Sequence, residues 1–212
     1  MAYLSYEQPA AFFIYICTMN EQIKQIISDS IAVKQQLLGD EAMLTKINDI
    51  SNLIVDAFRA EKKILFCGNG GSAADAQHLA AELSGRFYLD RDALPAEALH
   101  VNTSYLTAIA NDYSFEVAYA RYIKGVGHAG DILVGLSTSG NSTNIIEAFK
   151  AAKEKGMITI GFTGASGGKL KEWSDHLFNV PSTVTPRIQE SHIMLGHIIC
   201  QLVEERYFNP KN

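Results

Sequence analysis

The sequence predicts an α/β protein with a doubly wound, five-stranded parallel sheet, and three observations support this prediction. Short apolar runs alternate along the chain with longer segments whose apolar residues recur at helical spacing, which is typical of parallel sheets covered by helices. Glycine-rich or serine-rich loops follow two of these runs, as expected where ligands bind at the carboxyl ends of strands. The length of 212 residues suits one domain with a sizeable core.

Two helices are expected before the first strand. Apolar residues recur at helical spacing from Met19 to Leu38, and again up to Phe58, with Gly39-Asp40 between the two segments. A minimal α/β unit does not need these helices, so they must cover either the sheet or a partner subunit, and we favour the partner subunit. Residues 1–18 are expected to form an irregular tail, and residues 19–212 a single domain.

The remaining elements follow in alternation. Strands are expected at residues 64–67, 96–101, 132–136, 157–162 and 176–180. Helices are expected at residues 73–83, 103–109, 115–126, 144–155, 169–173 and 187–207.

Composition excludes several classes of protein. The net charge of −5 and the lack of a basic cluster argue against a nucleic-acid partner. No apolar stretch reaches the ~18 residues that span a membrane. The spacing of Cys17, Cys67 and Cys200 fits neither a metal site nor a disulfide framework, so we expect reduced thiols and a cytoplasmic protein.

The first chemical feature is the loop Gly68-Asn69-Gly70-Gly71-Ser72. Its glycines leave backbone N–H groups uncovered, and Ser72 is expected to cap the following helix. Free amides and a helix dipole together favour a phosphate. His78 and Glu82 are four residues apart on that helix, hence on one face. Such a pair is usually a solvated surface pair, but its nearness to the loop suggests an enzyme acting on a phosphorylated small molecule.

A dinucleotide site is the less favoured interpretation of the same loop. Gly68, Gly70 and Ala73 fit the Rossmann fingerprint only loosely. That fold expects an acidic residue ~20 positions on, after the second strand. Here Asn102-Thr103-Ser104 follows the second strand, and Asp90 and Asp92 precede it.

The second chemical feature is the loop Ser137-Thr138-Ser139-Gly140-Asn141-Ser142, which follows the third strand. Its hydroxyl groups could form a second anion site or could serve only to cap the next helix. Asn144 and Glu147 are spaced as a capping pair. Two such loops on one sheet favour a bound phosphosugar.

The third feature is the segment from Arg187 to His197 at the start of the last helix. Gln189 and His197 are eight positions apart, which places them ~12 Å apart along a helix and ~80° apart around it. They could reach one small ligand only by leaning together, or they could serve sites in neighbouring subunits. The residues alone select neither as functional.

The order of motifs in this chain resembles that of the sugar isomerase (SIS) domain family. The motifs are CGNGGSAADAQHLAAELSGRF, AIAND, STSGNS, TG-x-x-GG and RIQE-x-H-x-x-x-x-H. Within that family they resemble the bacterial sedoheptulose 7-phosphate isomerases, also called phosphoheptose isomerases, over about residues 20–207. The resemblance implies a flavodoxin-like fold and an aldose–ketose isomerase that makes D-glycero-D-manno-heptose 7-phosphate, at the first step towards the ADP-heptose of lipopolysaccharide. It also implies a homotetramer with active sites at subunit interfaces and one Zn²⁺ per subunit.

The resemblance assigns roles to individual residues. The implied zinc ligands are His78, Glu82, Gln189 and His197. The implied substrate contacts are Asn69, Gly70, Gly71, Glu82, Asn111, Asp112, Ser137, Thr138, Ser139, Ser142 and Gln189. Glu82 is the implied catalytic base, and His197 the second acid/base. Some relatives carry an acid directly before the RIQE arginine; here that residue is Pro186, so we assign no acid there.

Two alternatives without catalysis remain. One relative in the same subfamily binds the initiator of chromosome replication, but lacks equivalents of Glu82 and His197 and departs from the pattern at Gly71. This chain has all three residues, which favours the enzyme. A regulator that senses sugar phosphates would usually carry a DNA-binding domain, and we recognise none in this sequence.

Overall fold

The structure is a computed structural model that describes the backbone of residues 10–209 and the side chains of residues 19–209. The strands are β1 (Ile64–Gly68), β2 (Ala96–Ala98), β3 (Ile132–Leu136), β4 (Ile158–Thr163) and β5 (His176–Asn179). The helices are α1 (Ala10–Leu38), α2 (Glu41–Arg59), α3 (Gly71–Ser84), α4 (Thr103–Asp112), α5 (Ala118–Val126), α6 (Thr143–Glu154) and α7 (Thr185–Phe208). Short 3₁₀ helices lie at Phe115–Val117 and Gly168–Trp173.

The five strands form one parallel sheet in the order β2-β1-β3-β4-β5. Ile132 of β3 pairs with Ile64 on one side and with Ile158 on the other. Every residue of β1 and β3 is buried, because these apolar strands lie inside a sheet covered on both faces. The predicted fold class is confirmed.

Alternate residues of the strands point into two separate cores. Ile64 and Phe66 of β1 pack with α2, α3 and α7, whereas Leu65 and Cys67 pack with α5 and α6. This division follows from the period of two along a strand. Helices therefore cover both faces of the sheet, as the doubly wound prediction requires.

The boundaries correct the prediction at two places. Residues 10–18 continue helix α1, whereas the sequence analysis predicted an irregular tail over residues 1–18; the other part of that tail, residues 1–9, lies outside the described residues. Neither Gly nor Pro occurs from Ala10 to Leu38, so nothing in the sequence breaks the helix. Strand β2 is shorter than the predicted 96–101, because the chain turns after Ala98, whose carbonyl accepts the Val101 N–H.

Helix α1 is only partly covered by the rest of the chain. Val33 and Leu37 are buried in the core, but Ile23, Ile27 and Ile31 are each about half exposed. Within the described residues, no helix has the combination of length and apolar character that crossing a membrane requires.

Candidate active site

The order of the strands places the two predicted loops side by side. The chain runs from β1 outward to β2 and then returns to β3 on the other side of β1. In open α/β sheets, ligands bind at such a reversal, outside the carboxyl ends of the strands. The loop after β1 and the loop after β3 both lie at this edge.

The glycines of the first loop are required by close contacts. A Cβ on Gly68 would collide with the Ser72 carbonyl, and a Cβ on Gly71 would collide with the Gln189 side chain. Gly70 has a φ of 55° and occupies the N-cap position of α3, a conformation that favours glycine. The predicted capping by Ser72 is wrong, because Ser72 lies buried inside the first turn and no side chain caps α3. Ser72 and Ala73 donate their N–H groups to the carbonyls of Asn69 and Gly70 at 3.0 and 3.1 Å, so the Gly71 N–H is the amide at the start of α3 that remains available for an anion.

An amide pair joins the first loop to helix α6. Asn69 and Asn144 exchange two side-chain hydrogen bonds of 2.9 and 2.8 Å. Asn144 is buried in this contact, so its predicted role in a capping pair with Glu147 is wrong. Ser142 occupies the N-cap position of α6. The amide pair holds the loops after β1 and β3 in a common arrangement.

The second loop is held by its own hydroxyls and by the loop after β4. Ser137 is buried and donates to the Ser142 hydroxyl at 3.1 Å. The Ser139 hydroxyl accepts the Asn141 N–H at 3.1 Å, and the Thr138 carbonyl accepts the Gly164 N–H at 3.0 Å. No side chain caps α6. Free helix amides beside ordered hydroxyls fit the predicted anion site.

Helices α3 and α7 bring three of the predicted ligands together within one chain. His78 Nε2 lies 2.9 Å from Glu82 Oε1 and 3.1 Å from His197 Nε2, and one ligand atom of each residue lies within 4.8 Å of the others. The helices approach closely because Gly196 faces Leu79; a Cβ on Gly196 would lie 2.6 Å from a Leu79 methyl. Glu82 and His197 therefore do not need separate subunits to meet.

The donor set fits a zinc ion. Zinc binds imidazole nitrogen and carboxylate oxygen at ~2.0–2.2 Å in tetrahedral geometry, which places ligand atoms roughly 3.3–3.5 Å apart. The two distances around His78 Nε2 are close to that separation. Burial lowers the pKa of His197, as does the neighbouring His78, while Glu82 and Asp75 act in the opposite direction. A neutral imidazole is the form that binds a metal.

Gln189 lies at the other end of the same helix pair. Its side chain packs over Gly71, at the start of α3, whereas His197 contacts His78, two turns further along α3. Helix α3 runs beside α7 over the ~12 Å that separate Gln189 from His197. Both residues therefore contact α3 of the same chain. The glycine loop after β1 thus lies beside Gln189, and the cluster of His78, Glu82 and His197 lies further along α3.

Asp75 lies beside the predicted ligands but was not predicted from the sequence. It lies on α3 between Gly71 and His78; burial raises the pKa of Asp75, opposed by Gln189, His78 and His197. Its Oδ2 is buried and has no hydrogen-bond partner among the described residues. The spacing of Asp75, His78 and Glu82 along one helix face was the available signal.

Asn111 and Asp112 end helix α4, and both are exposed. Their side chains hydrogen-bond to each other at 2.9 Å. In the described part of the chain, neither side chain hydrogen-bonds to the two loops or to the His/Glu/His cluster. Their predicted contact with substrate remains a prediction.

Comparison with known proteins agrees with this fold. The model of the SIS domain family matches residues 28–164. The solved phosphoheptose isomerase of Neisseria gonorrhoeae is 43% identical with a TM-score of 0.82, and the match covers 88% of this chain and 99% of that chain. The solved enzyme of Francisella tularensis is 32% identical with a TM-score of 0.84, over 88% of this chain and 98% of that chain.

Curated relatives narrow the assignment within the SIS domain family. The phosphoheptose isomerase of Aneurinibacillus thermoaerophilus is 52% identical, and that of Clostridium acetobutylicum is 51% identical; each match covers 91% of this chain and 98% of the relative. The chain belongs to the SIS domain family and, within it, to the phosphoheptose isomerases. The resemblance drawn from the motifs is confirmed.

Proposed function

We propose that this protein isomerises sedoheptulose 7-phosphate to D-glycero-D-manno-heptose 7-phosphate. The observation that carries the proposal is the meeting of Glu82 and His197 in one chain, with Glu82 on the helix that the glycine loop of the β1/β3 edge opens. The curated relatives at about half identity are named phosphoheptose isomerases, which disfavours the alternative of a non-catalytic protein that binds a replication initiator.

Glu82 and His197 supply the two proton transfers of an aldose–ketose isomerisation. Glu82 removes the proton from C1 of the ketose, which gives an enediol, and then returns a proton to C2. His197 moves a proton between the oxygens on C1 and C2. General acid–base groups of this kind contribute ~10²–10⁴-fold each to the rate.

The two loops orient the substrate. The serine-rich loop binds the phosphate with Ser137, Thr138, Ser139 and Ser142, near the free amides of α6. The glycine loop binds the sugar end, because it opens the helix that carries Glu82. Asn69, Gly70, Gly71, Asn111, Asp112 and Gln189 complete the proposed substrate contacts.

One Zn²⁺ per chain is part of the proposal. His78, Glu82, Gln189 and His197 would hold it. The close approach of His78, Glu82 and His197 supports these three ligands, and Gln189, which packs over Gly71, would reach them from the start of α3. Bound zinc polarises a carbonyl oxygen and stabilises the negative charge that develops on it.

We also propose a homotetramer with active sites at subunit interfaces. Ile23, Ile27 and Ile31 follow one another at helical spacing on α1 and are 50, 54 and 48% exposed. A contiguous apolar face of this kind is typical of a protein interface. Cys67 and Cys200 are buried, free thiols, which is compatible with the proposed cytoplasmic location.

The deciding experiment incubates purified protein with sedoheptulose 7-phosphate and follows the aldose product by NMR. We expect conversion, which a chelator removes and added zinc restores. Fructose 6-phosphate, a shorter ketose phosphate, serves as the control substrate and should react far more slowly. Absence of conversion in zinc-loaded protein would contradict the proposed reaction; conversion that survives the chelator would contradict only the role of the metal.

A further inference from the structure

A buried ion pair lies directly behind the candidate site. Arg91 Nε donates to Glu204 Oε1 at 2.9 Å, and the two side chains are only 4 and 1% exposed. Glu204 lies on α7 seven positions after His197, two turns along the same face. Arg91 lies in the segment that follows α3. The pair therefore connects the two helices that carry the candidate catalytic residues.

Glu204 fixes the segment after α3 through its backbone. Its carboxylate accepts the N–H groups of Phe87, Tyr88 and Leu89 at 3.1, 2.8 and 3.0 Å. Burial alone would raise the pKa of Glu204, but these bonds and the Arg91 guanidinium outweigh burial and hold the pKa below its ordinary value. A carboxylate that binds three consecutive amides leaves the segment little freedom.

Arg91 caps the carboxyl end of α3. Its guanidinium donates to the carbonyls of Glu82, Leu83 and Gly85 at 2.8, 2.7 and 3.0 Å. These carbonyls lie at the carboxyl end of the helix, where intrahelical partners are missing and a cation is favoured. One of them belongs to Glu82, so Arg91 holds the backbone of the candidate base directly.

The fixed segment contacts the second candidate catalytic residue. The Phe87 ring stacks on the His197 ring, with centroids 5.6 Å apart and an angle of 25° between the planes. Phe87 is also one of the residues whose N–H Glu204 accepts. Arg91 thus contacts Glu82 through its carbonyl, and Glu204 is linked to His197 through Phe87.

We propose that Arg91 and Glu204 are positioning residues for the isomerisation, holding Glu82 and His197 in the geometry that proton transfer needs. This inference rests on the proposed function. Neither side chain is placed to touch substrate, because both are buried behind the cluster. A displacement of about 1 Å at a reacting group can cost ~10²-fold in rate, so a buried pair outside the cluster can control turnover.

The test replaces Glu204 by Gln, which keeps the shape but loses the charge and one acceptor oxygen. We expect kcat to fall at least about tenfold with KM changed less than about twofold, because geometry and not substrate binding is altered. The matched control is Asp131→Asn. Asp131 is also a buried carboxylate that accepts two backbone N–H groups and pairs with a lysine, but its partners Lys63 and His128 precede β1 and β3 and do not belong to α3 or α7.

A second readout does not depend on activity. NMR spectra of metal-free protein with isotope-labelled histidine side chains report the position of the Phe87 ring, because a stacked ring shifts the His197 signal. The His197→Asn variant assigns that signal. We expect Glu204→Gln to shift the His197 signal and Asp131→Asn to leave it in place. If wild-type protein converts no substrate, the proposed function fails, and the signal alone decides whether the pair positions His197.

Three outcomes would overturn the inference: wild-type kcat in Glu204→Gln, an equal loss of kcat in Asp131→Asn, or an unmoved His197 signal in Glu204→Gln. Should Glu204→Gln not fold, Phe87→Leu takes its place. That change removes the stacked ring but keeps the Phe87 N–H and the ion pair. It should lower kcat and shift the signal in the same direction, and wild-type kcat there would equally overturn the inference.

Discussion

At the scale of single residues, the contact between His78, Glu82 and His197 has a direct consequence for turnover. Glu82→Gln and His197→Asn should each lower kcat by ~10²-fold or more, because each removes a group that transfers protons. Steady-state kinetics with sedoheptulose 7-phosphate, together with size-exclusion chromatography of the variants, checks this.

The control for these variants is His128→Asn. His128 has a side chain that is 74% exposed and lies near the start of β3, away from the cluster. It should leave kcat unchanged. Near-wild-type turnover in Glu82→Gln or His197→Asn would remove that residue from the proposed mechanism.

The sequence could predict only some of these residues. His78 and Glu82 were found because helical spacing places both on one face beside the glycine loop. Their meeting with His197 depends on the crossing of α3 and α7 at Gly196 and Leu79, which local spacing does not contain. Phe87 was missed for the same reason, since its contact with His197 depends on tertiary packing.

At the scale of elements, the serine-rich loop is expected to govern substrate binding. Ser137→Ala and Ser139→Ala should raise KM more than they lower kcat, because they remove hydroxyls beside the free amides of α6 while Glu82 stays in place. Ser174→Ala is the matched control. The Ser174 hydroxyl bonds the Leu170 carbonyl just before β5, at the other edge of the sheet.

Steady-state kinetics over a range of substrate concentrations measures both constants. A strong loss of kcat with an unchanged KM in Ser137→Ala or Ser139→Ala would indicate that the substrate binds in the reverse orientation, with its reacting end at the serine-rich loop.

Element positions were predictable, whereas their ends often were not. Apolar runs and helical spacing placed the strands and helices correctly, because burial on two faces produces those patterns. The ends depend on particular contacts. The α3 N-cap is Gly70 instead of Ser72 because Gly68 brings the backbone close to Ser72. Asn144 binds Asn69 across the sheet edge instead of capping its own helix.

At the scale of the whole molecule, buried His192 should make stability depend on pH. It is fully buried, donates from Nε2 to the Thr163 carbonyl at 3.1 Å, and has no partner for Nδ1 among the described residues. Burial lowers the pKa of His192 from 6.5 to about 4. The unfolded chain therefore binds more protons than the folded protein between those values, so stability is lost as pH falls below 6.5.

The expected loss of stability from pH 7 to pH 5 is about 2 kcal/mol, from roughly 1.4 kcal/mol per pH unit below 6.5. Urea unfolding at fixed protein concentration measures it. His192→Gln, which cannot titrate, should flatten the dependence, while the exposed His128→Asn should not. An equally steep dependence in His192→Gln would assign the effect to other groups, such as His100, whose pKa burial also lowers.

The arrangement of the whole chain was only partly predictable. Alternating strands and helices indicate a parallel sheet, but they do not by themselves determine which strands are neighbours. The apolar residues of both helices before β1 were expected to meet a partner subunit. For α2 this prediction is wrong, because its apolar face packs on the sheet. For α1 it stays a prediction, which the exposed side chains of Ile23, Ile27 and Ile31 support.

Helix α7 has a consequence for how the protein is made. It is the last element of this domain to leave the ribosome, yet it packs against α2, α3 and β4 and supplies Gln189, His197 and Glu204. Until it emerges, the nascent chain exposes the apolar face that α7 later covers, a state prone to aggregation. The candidate active site thus forms only when translation of the domain is complete, and a chain interrupted within α7 would be a substrate for chaperones and proteases before it could be an enzyme.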